Sequence, residues 1–394
     1  VEATQNSILG GSDPKLFVNR VIDLAGSRTP RGGNVKLTIN PAAQKAAYQG
    51  ILKLGKDTQA AVVALEPGTG RVLAMVSNPT FDPNVLASHD FSKANAAKER
   101  LLSAKPSPLD NAAIETVLPP GSTFKLVTAA AALESGNYTP NSKVPGGRSL
   151  DLPQTKTNLV NENGMSCGGD QITLTRALAV SCNVAFGSIG LKLGGDALRE
   201  QAERFGFDQV YFSDLDDALN RQAKSRFPAN PDPPQTALSA IGQFDVAATP
   251  LQMAMVTASI ANGGTTMKPN LIDQVLDSKL DVLDKLQPES LPGQPAMSVA
   301  HARQLTEMME AVVTSGTGRT AQIPGVRVAG KTGTAQSAPN RPPYAWFVSF
   351  APADNPRVAV AVLVQDAGVD RDQISGSGLA APIAKSVMEA VLGR

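Results

Sequence analysis

Apolar residues form short continuous runs near both ends of the chain. Residues 60–65 and 72–76 are β-compatible runs, and the Glu-Pro-Gly-Thr-Gly-Arg segment between them is typical of a hairpin turn. Residues 326–336, 344–351 and 358–365 form three more such runs, separated by turns that contain proline and asparagine. The pattern therefore predicts five antiparallel strands, drawn from the two ends of the chain.

The stretch between these strand groups, roughly residues 81–324, has mostly helical periodicity. Helices are also expected beside the sheet, because Asn40 and Pro41 suit a helix start and a last apolar pattern closes the chain. The predicted fold class is α+β, a five-stranded antiparallel sheet flanked by helices with an inserted helical subdomain. The predicted helices span residues 41–54, 122–134, 173–180, 196–205, 247–261 and 378–392.

Composition and charge exclude several classes of protein. With 36 basic and 35 acidic residues in 394, the chain has no electrostatic footprint for nucleic acid or anionic lipid. Its length suits one large domain with subdomains, or two domains, and no apolar run approaches a membrane span. The sequence begins at Val1 without a signal peptide, so we expect a processed or trimmed piece, with any membrane anchor upstream.

Three short motifs follow one another along the chain: Ser122-Thr123-Phe124-Lys125, Ser181-Cys182-Asn183 and Lys331-Thr332-Gly333. This trio in this order is the signature of penicillin-binding proteins and class A β-lactamases. Each motif alone is weak, because Ser12-Asp13-Pro14-Lys15 and Ser135-Gly136-Asn137 match the first two patterns equally well. The surrounding sequence must separate real motifs from chance matches.

Local context favours Ser122 as the nucleophile. A Pro-Pro-Gly break precedes it, an alanine-rich apolar helix follows, and Ser122 and Lys125 share one face of that helix. Pro14 would spoil a helix in the first chance match. Gly136, in the second, suits the left-handed residue that ends a helix.

Histidine chemistry is poorly supported. His89 and His301 are the only two histidines, they lie in unrelated contexts, and no G-x-S-x-G segment is present. No group of histidine, cysteine and carboxylate residues has the spacing of a zinc site. The sequence therefore predicts neither a metal nor another cofactor, and lysine remains as the candidate to activate the serine.

Residues 34–394 resemble the transpeptidase domain of class B penicillin-binding proteins, close to the actinobacterial PbpA type. The resemblance implies the fold of penicillin-binding proteins and serine β-lactamases, with a helical subdomain at roughly residues 81–324. Residues 1–33 resemble only a remnant of the family's N-terminal linker domain. Resembling stretches beyond the motifs include Leu37-Thr38-Ile39-Asn40, Ala240-Ile241-Gly242-Gln243, Thr249-Pro250-Leu251-Gln252, Ala261-Asn262-Gly263-Gly264 and Ala345-Trp346-Phe347.

The resemblance assigns the two lysines to one mechanism. Lys125 would take the proton of Ser122, but an ordinary lysine has a pKa of about 10.4 and carries a charge at neutral pH. Burial and the like charge of Lys331, which the family places across the cleft, would lower that pKa. The alternative for Lys331 is an exposed lysine on a strand.

The second motif has two compatible interpretations. Ser181 would relay a proton between Lys125 and the leaving amine, and Asn183 would hold the amide on the acyl side of the substrate. Alternatively, both residues form a local cap at the end of the helix over residues 173–180.

The third motif is assigned to substrate binding. Gly333 would leave the strand edge bare for a peptide backbone, and Thr332 and Thr334 would bind a terminal carboxylate with Lys331. The resemblance also implies an oxyanion hole made by the backbone N–H groups of Ser122 and Thr334.

Cys167 and Cys182 are the only cysteines. The resemblance places the domain outside the membrane, where disulfides persist, so we expect the two to be joined. The alternative is a pair of buried free thiols.

The resemblance implies a peptidoglycan D,D-transpeptidase that β-lactams acylate, anchored at the extracytoplasmic face of the bacterial membrane, with a glycosyltransferase and other cell-wall synthesis proteins as partners. A D,D-carboxypeptidase or a β-lactamase is the alternative, in which water resolves the acyl-enzyme. The residues assigned to the surroundings of Ser122 include no carboxylate to activate that water, so a penicilloyl-enzyme should persist. A β-lactam sensor without turnover, or a scaffold of the division machinery, is the alternative from another class.

Overall fold

The computed structural model describes residues 1–17, 21, 25, 31–162, 164–215, 222–336 and 342–394. Within these ranges, strands β1 to β12 are Asn34–Leu37, Gln59–Leu65, Val72–Asn78, Lys143–Pro145, Ser149–Asp151, Asn158–Val160, Gln171–Thr173, Ile272–Leu276, Val282–Lys285, Ala329–Ala335, Tyr344–Ala351 and Val358–Asp366. Helices α1 to α12 are Asn6–Leu9, Pro41–Leu52, Phe91–Ser103, Ala112–Glu115, Lys125–Glu134, Leu174–Ala179, Asn183–Leu193, Gly195–Arg204, Pro233–Ser239, Pro250–Ala261, Val299–Thr314 and Ala381–Leu392.

The central sheet contains five strands in the order β10-β11-β12-β2-β3, and every neighbouring pair is antiparallel. Val362 of β12 lies opposite Val62 of β2, so the two ends of the chain meet in the middle of the sheet. β10 forms one edge. The predicted fold class and the five predicted strands are confirmed.

Helices cover both faces of the sheet, which explains why its central strands are almost continuously apolar. Val62 and Val362 belong to a core that also contains residues of the flanking helices α2 and α12. The alternate residues Val63 and Leu363 belong to a second core, shared with α5 and the rest of the inserted part. The sheet therefore forms the middle layer between the terminal helices and the insertion.

Several predicted boundaries differ from the observed ones. β10 begins at Ala329 because Val326 forms an isolated bridge with Ile323 instead. α10 begins at Pro250, where the Thr249 hydroxyl accepts a hydrogen bond from the Gln252 N–H and caps the helix. The polar cap, rather than the preceding apolar residues, determines this start.

Several short strands outside the central sheet were missed by the sequence pattern. β1, β8 and β9 form an antiparallel three-stranded sheet, and β4-β7 and β5-β6 form two-stranded sheets. Each of these strands has three to five residues. Runs this short contain too little alternation to distinguish a strand from a loop.

The predicted division of the chain at residue 33 stays a prediction. In the described part of the first segment, the Gly33 N–H donates to the Ile8 carbonyl at 2.8 Å. Residues 18–20, 22–24 and 26–30 of that segment lie outside the described residues. Across the described ranges, no helix has both the length and the apolar character needed to cross a membrane.

Candidate active site

The nucleophile motif lies in a turn rather than within the α-helix that the sequence predicts. Gly121–Phe124 form one turn of 3₁₀-helix, and α5 begins at Lys125. The Lys125 Nζ lies 2.9 Å from the Ser122 Oγ. A carbon side chain on Gly121, whose φ is +52°, would lie 2.8 Å from the Thr334 carbonyl oxygen, so only glycine lets this turn approach β10 so closely.

Ser181 lies between α6 and α7 with a φ of +60°, in the left-handed region that is costly for serine. Its hydroxyl lies 3.2 Å from the Lys125 Nζ and 2.9 Å from the Lys331 Nζ. The Ser181 carbonyl also accepts a hydrogen bond from the Lys125 Nζ, at 2.7 Å. The strained backbone thus presents one hydroxyl to two lysines.

Asn183 is the first residue of α7, and its side chain points into the same cluster. Its Oδ1 accepts a hydrogen bond from the Lys125 Nζ at 2.7 Å, and its Nδ2 donates to the Val160 carbonyl at 3.0 Å. A primary amide has two donor and two acceptor positions, so one N–H remains for a ligand.

Both lysines are completely buried, with 0% of each side chain exposed. Burial, followed by the like charge of Lys331, lowers the pKa of Lys125 well below its ordinary value of 10.5. Burial lowers the pKa of Lys331 to about 7. The alternative of an exposed lysine on β10 is therefore wrong for Lys331.

The third motif occupies the edge strand β10, where Thr332 and Thr334 have different surroundings. The Thr332 side chain is almost buried, and its hydroxyl lies 2.6 Å from that of Thr317. Thr334 lines the cleft beside Ser122. The Thr332 hydroxyl thus already has a protein partner, and the proposed carboxylate contact of these threonines stays a prediction.

Gly333 allows close packing of β10 against the nucleophile turn. A carbon side chain there would lie 2.9 Å from the Thr123 Cγ2, 3.0 Å from the Pro120 carbonyl oxygen and 3.0 Å from the Trp346 Cβ. Any larger residue would push the turn that carries Ser122 away from the strand. The role in receiving a substrate backbone stays a prediction.

The proposed oxyanion donors are compatible with this geometry. Ser122 is the second residue of its 3₁₀-turn, so its N–H has no carbonyl partner within that turn. Thr334 lies on the neighbouring edge strand. The donor role of the two N–H groups stays a prediction.

Cys167 and Cys182 form a disulfide, with their Cα atoms 5.8 Å apart. Cys182 separates Ser181 from Asn183, so the bond connects the second motif to the loop that follows β6. Asn161 fastens the same loop, because its Nδ2 donates to the Gly147 and Met165 carbonyls at 2.9 and 2.8 Å.

The two chance matches do not contribute to the site. Pro14 begins a short 3₁₀-helix, and Lys15 forms an ion pair with Asp284 at 2.6 Å. Gly136 follows α5 with a φ of +73°, as a helix end favours.

A cleft of about 410 Å³ opens in front of Ser122, and sequence reasoning missed much of its lining. Glu162 lines this cleft and raises the pKa of both buried lysines by its charge. A carboxylate is therefore present in the cleft, contrary to what the motifs alone suggested. No motif marks Glu162, because contacts distant in sequence, among them the pairing of β5 with β6, bring its loop to the site.

The chain belongs to the penicillin-binding protein transpeptidase domain family, whose model matches residues 60–389. Over its full length it is 42% identical to the peptidoglycan D,D-transpeptidase PbpA of Mycolicibacterium smegmatis, of which it covers 79%. The sequence-based assignment to the PbpA type is thereby confirmed.

Solved structures of penicillin-binding protein A from M. tuberculosis match the fold closely. The penicillin G acyl-enzyme complex has a TM-score of 0.90 and 41% identity, covering 99% of this chain and 88% of that one. The ceftriaxone acyl-enzyme complex has a TM-score of 0.92 and 41% identity, covering 99% of this chain and 87% of that one.

Proposed function

We propose that this chain is a peptidoglycan D,D-transpeptidase, which cross-links stem peptides that end in D-Ala-D-Ala. The convergence of Ser122, Ser181 and two buried lysines carries this conclusion. A free lysine amine beside a serine hydroxyl supplies the base that acyl transfer needs. The transpeptidase name of the relatives and the acyl-enzyme complexes of similar structures support the same activity.

The first half of the reaction forms an ester. The neutral Lys125 amine accepts the Ser122 Oγ proton while the oxygen attacks the carbonyl carbon of the penultimate D-Ala. The backbone N–H groups of Ser122 and Thr334 stabilise the resulting oxyanion. The C–N bond then breaks, and the departing D-Ala amine receives a proton delivered from Lys125 through the Ser181 hydroxyl.

The second half transfers the acyl group to an amine of a neighbouring stem. The incoming amine attacks the ester carbonyl and forms an amide, while its proton passes back through Ser181 and Lys125. The ester C–O bond breaks and Ser122 recovers its proton. Asn183 holds the acyl-side amide in both halves, whereas the third motif, which includes Lys331, holds the terminal carboxylate of the donor only until the terminal D-Ala departs.

Intact-mass measurement after penicillin exposure tests the nucleophile. The protein should gain the full mass of one penicillin, and Ser122→Ala should gain none, whereas Ser135→Ala, in the chance match at the end of α5, should acylate normally. A Ser122→Ala protein that still gains the adduct would refute the assignment. Incubation with a peptide donor and an amine acceptor then separates a transpeptidase from a sensor or scaffold, which would form no cross-link.

Hydrolysis is the second candidate, because Glu162 places a carboxylate in the cleft. A D,D-carboxypeptidase or β-lactamase needs a general base within reach of the attacking water. We expect the penicilloyl-enzyme to persist for hours. Many turnovers of penicillin within minutes would favour the hydrolase instead.

We also propose that the enzyme works at the extracytoplasmic face of the bacterial membrane, held by an N-terminal anchor and assisted by a glycosyltransferase and other cell-wall synthesis proteins. Its substrate, peptidoglycan, lies outside the membrane, and the Cys167–Cys182 disulfide suits an oxidising compartment. Crosslinking in intact cells, followed by mass spectrometry of the captured proteins, tests these partners.

A further inference from the structure

Glu162 is the single charged side chain among the described residues that line the cleft in front of Ser122. The side chain is exposed, and within the described ranges no lysine or arginine forms an ion pair with it. An unpaired carboxylate in a substrate cleft attracts a cation. The proposed reaction assigns no role to this charge.

The segment that carries Glu162 is held firmly on three sides. β6, which ends at Val160, pairs with β5, and the Asn161 Oδ1 accepts a hydrogen bond from the Val184 N–H at 3.1 Å. The disulfide fastens the segment again at Cys167. These anchors on neighbouring residues restrict the positions that the Glu162 carboxylate can take in the cleft.

Exposed apolar side chains line the same cleft as this carboxylate. Val160 is 52% exposed and Phe244 is 48% exposed, and both line the same cleft as Glu162. Phe244 has a φ of +61°, a conformation that is unusual for a bulky residue and that persists at functional positions. A cleft lined by exposed apolar side chains and one carboxylate fits an aliphatic chain that ends in an ammonium group.

We propose that Glu162, Val160 and Phe244 form a subsite for a cationic aliphatic side chain on the acyl side of the scissile bond. The proposal rests on the proposed function. The Val160 carbonyl holds Asn183, the residue assigned to the acyl-side amide, at 3.0 Å. The donor residue that precedes the D-Ala pair would therefore pass over Val160 toward Glu162.

The subsite also couples substrate charge to the base. The charge of Glu162 raises the pKa of Lys125 and of Lys331 and so opposes the free amine that attacks need. An ammonium group bound at Glu162 compensates that charge. A donor with the matching cation thus favours the reactive form of Lys125 when it binds.

Three penicillins with one phenylacetyl skeleton test the subsite. Benzylpenicillin, ampicillin and carbenicillin carry hydrogen, an ammonium group or a carboxylate at the same side-chain carbon. For the wild type, the second-order acylation rate constant should decrease in the order ampicillin, benzylpenicillin, carbenicillin. The ratio of ampicillin to carbenicillin should fall roughly tenfold in Glu162→Gln, and Glu162→Lys should reverse the order.

Asp170→Asn is the matched control, because Asp170 is exposed, lies close in sequence and does not line the cleft. The ratio of the ampicillin to the carbenicillin rate constant in this variant should equal that of the wild type. Raised salt should weaken the preference of the wild type for ampicillin.

Equal ratios in the wild type and Glu162→Gln would overturn the subsite while leaving Ser122 acylation intact. Absence of acylation by all three penicillins would instead refute the proposed function. Slower loss of the penicilloyl adduct in Glu162→Gln, with unchanged ratios, would overturn the subsite and assign Glu162 to hydrolysis.

Discussion

Two regions of the molecule are equally buried but chemically opposite. In the middle of the sheet, β2 and β12 bury valine, alanine and leucine between two helical layers. At the corner formed by β10, α5 and the second motif, the completely buried side chains include Lys125 and Lys331. Burial of an apolar side chain stabilises the fold, whereas burial of an amine opposes its charged form.

The difference shows how the fold makes a base without histidine. The apolar core of the sheet and its helices stabilises the fold and so offsets the cost of burying two lysines at the catalytic corner. The same burial lowers the pKa values of both amines, to about 7 for Lys331. Substitutions in the two regions should therefore have opposite consequences for stability and activity.

Lys125→Met should have the largest effect. Methionine keeps the apolar volume but removes the base, so the acylation rate constant should fall at least about a thousandfold. Stopped-flow acylation with a fluorescent penicillin measures it. Lys192→Met, an exposed lysine on α7, is the control and should acylate normally. Acylation of Lys125→Met at the parental rate would mean that another group is the base.

Leu363→Ala should lower the stability of the fold and leave acylation almost unchanged. Leu363 is completely buried in the sheet, and its truncation should cost about 2–5 kcal/mol of unfolding free energy. Urea unfolding measures the loss. The acylation rate at a temperature where the variant is folded should stay near that of the wild type, and a thousandfold loss would show that the two regions are not separable.

The disulfide should contribute about 3 kcal/mol in the chain-entropy model, because it closes a loop with a sequence separation of 15. The Cys167→Ala, Cys182→Ala double variant should therefore unfold at lower urea concentration. Thiol titration of the denatured, unreduced wild type should find no reactive thiol. Two reactive thiols would show that the bond is absent from the isolated protein.

The sequence predicts the central sheet, and it also singles out the motif residues that the structure brings together around Ser122, because both features are encoded in contiguous residues. Val62 and Val362 lie in long apolar runs, and the motifs of Ser122 and Lys331 are contiguous. The missed features depend on distant contacts. Glu162 reaches the cleft through β5-β6 pairing and the contacts of its segment with α7 and Cys182, and Thr317 meets Thr332 only after α11 packs against β10. Neither contact leaves a pattern in neighbouring residues.

The complete burial of the two lysines could not be predicted from the sequence either. A lysine in a motif suggests a side chain that faces a cleft, yet Lys125 and Lys331 are both 0% exposed. Complete burial requires α5, β10 and the second motif to close around the amines, which no single segment specifies. Truncation of these lysines to alanine would thus leave cavities, and methionine is the better probe.

Lys331→Met should have the smallest effect on stability and should raise it. The unfolded chain keeps the ordinary lysine pKa of 10.5, and the folded value is about 7, so the unfolded state binds more protons between these values. Wild-type stability should rise with pH across this window and be lowest below about pH 7. At pH 6 the variant should gain about 1–2 kcal/mol, measured by urea unfolding. A loss of stability at pH 6 would contradict the cost of burying this amine.

The pH dependence of penicillin acylation by the wild type tests the central claim most directly. The lowered pKa of Lys125 predicts that more of its amine is free at neutral pH than in an ordinary lysine, and the pKa of Lys331, about 7, predicts that its charge is lost above neutrality. The second-order acylation rate constant should therefore form a bell, with its alkaline limb beginning near pH 7. A rate constant that climbs tenfold per pH unit up to pH 10 would show that the base is an ordinary, charged lysine and would contradict this account.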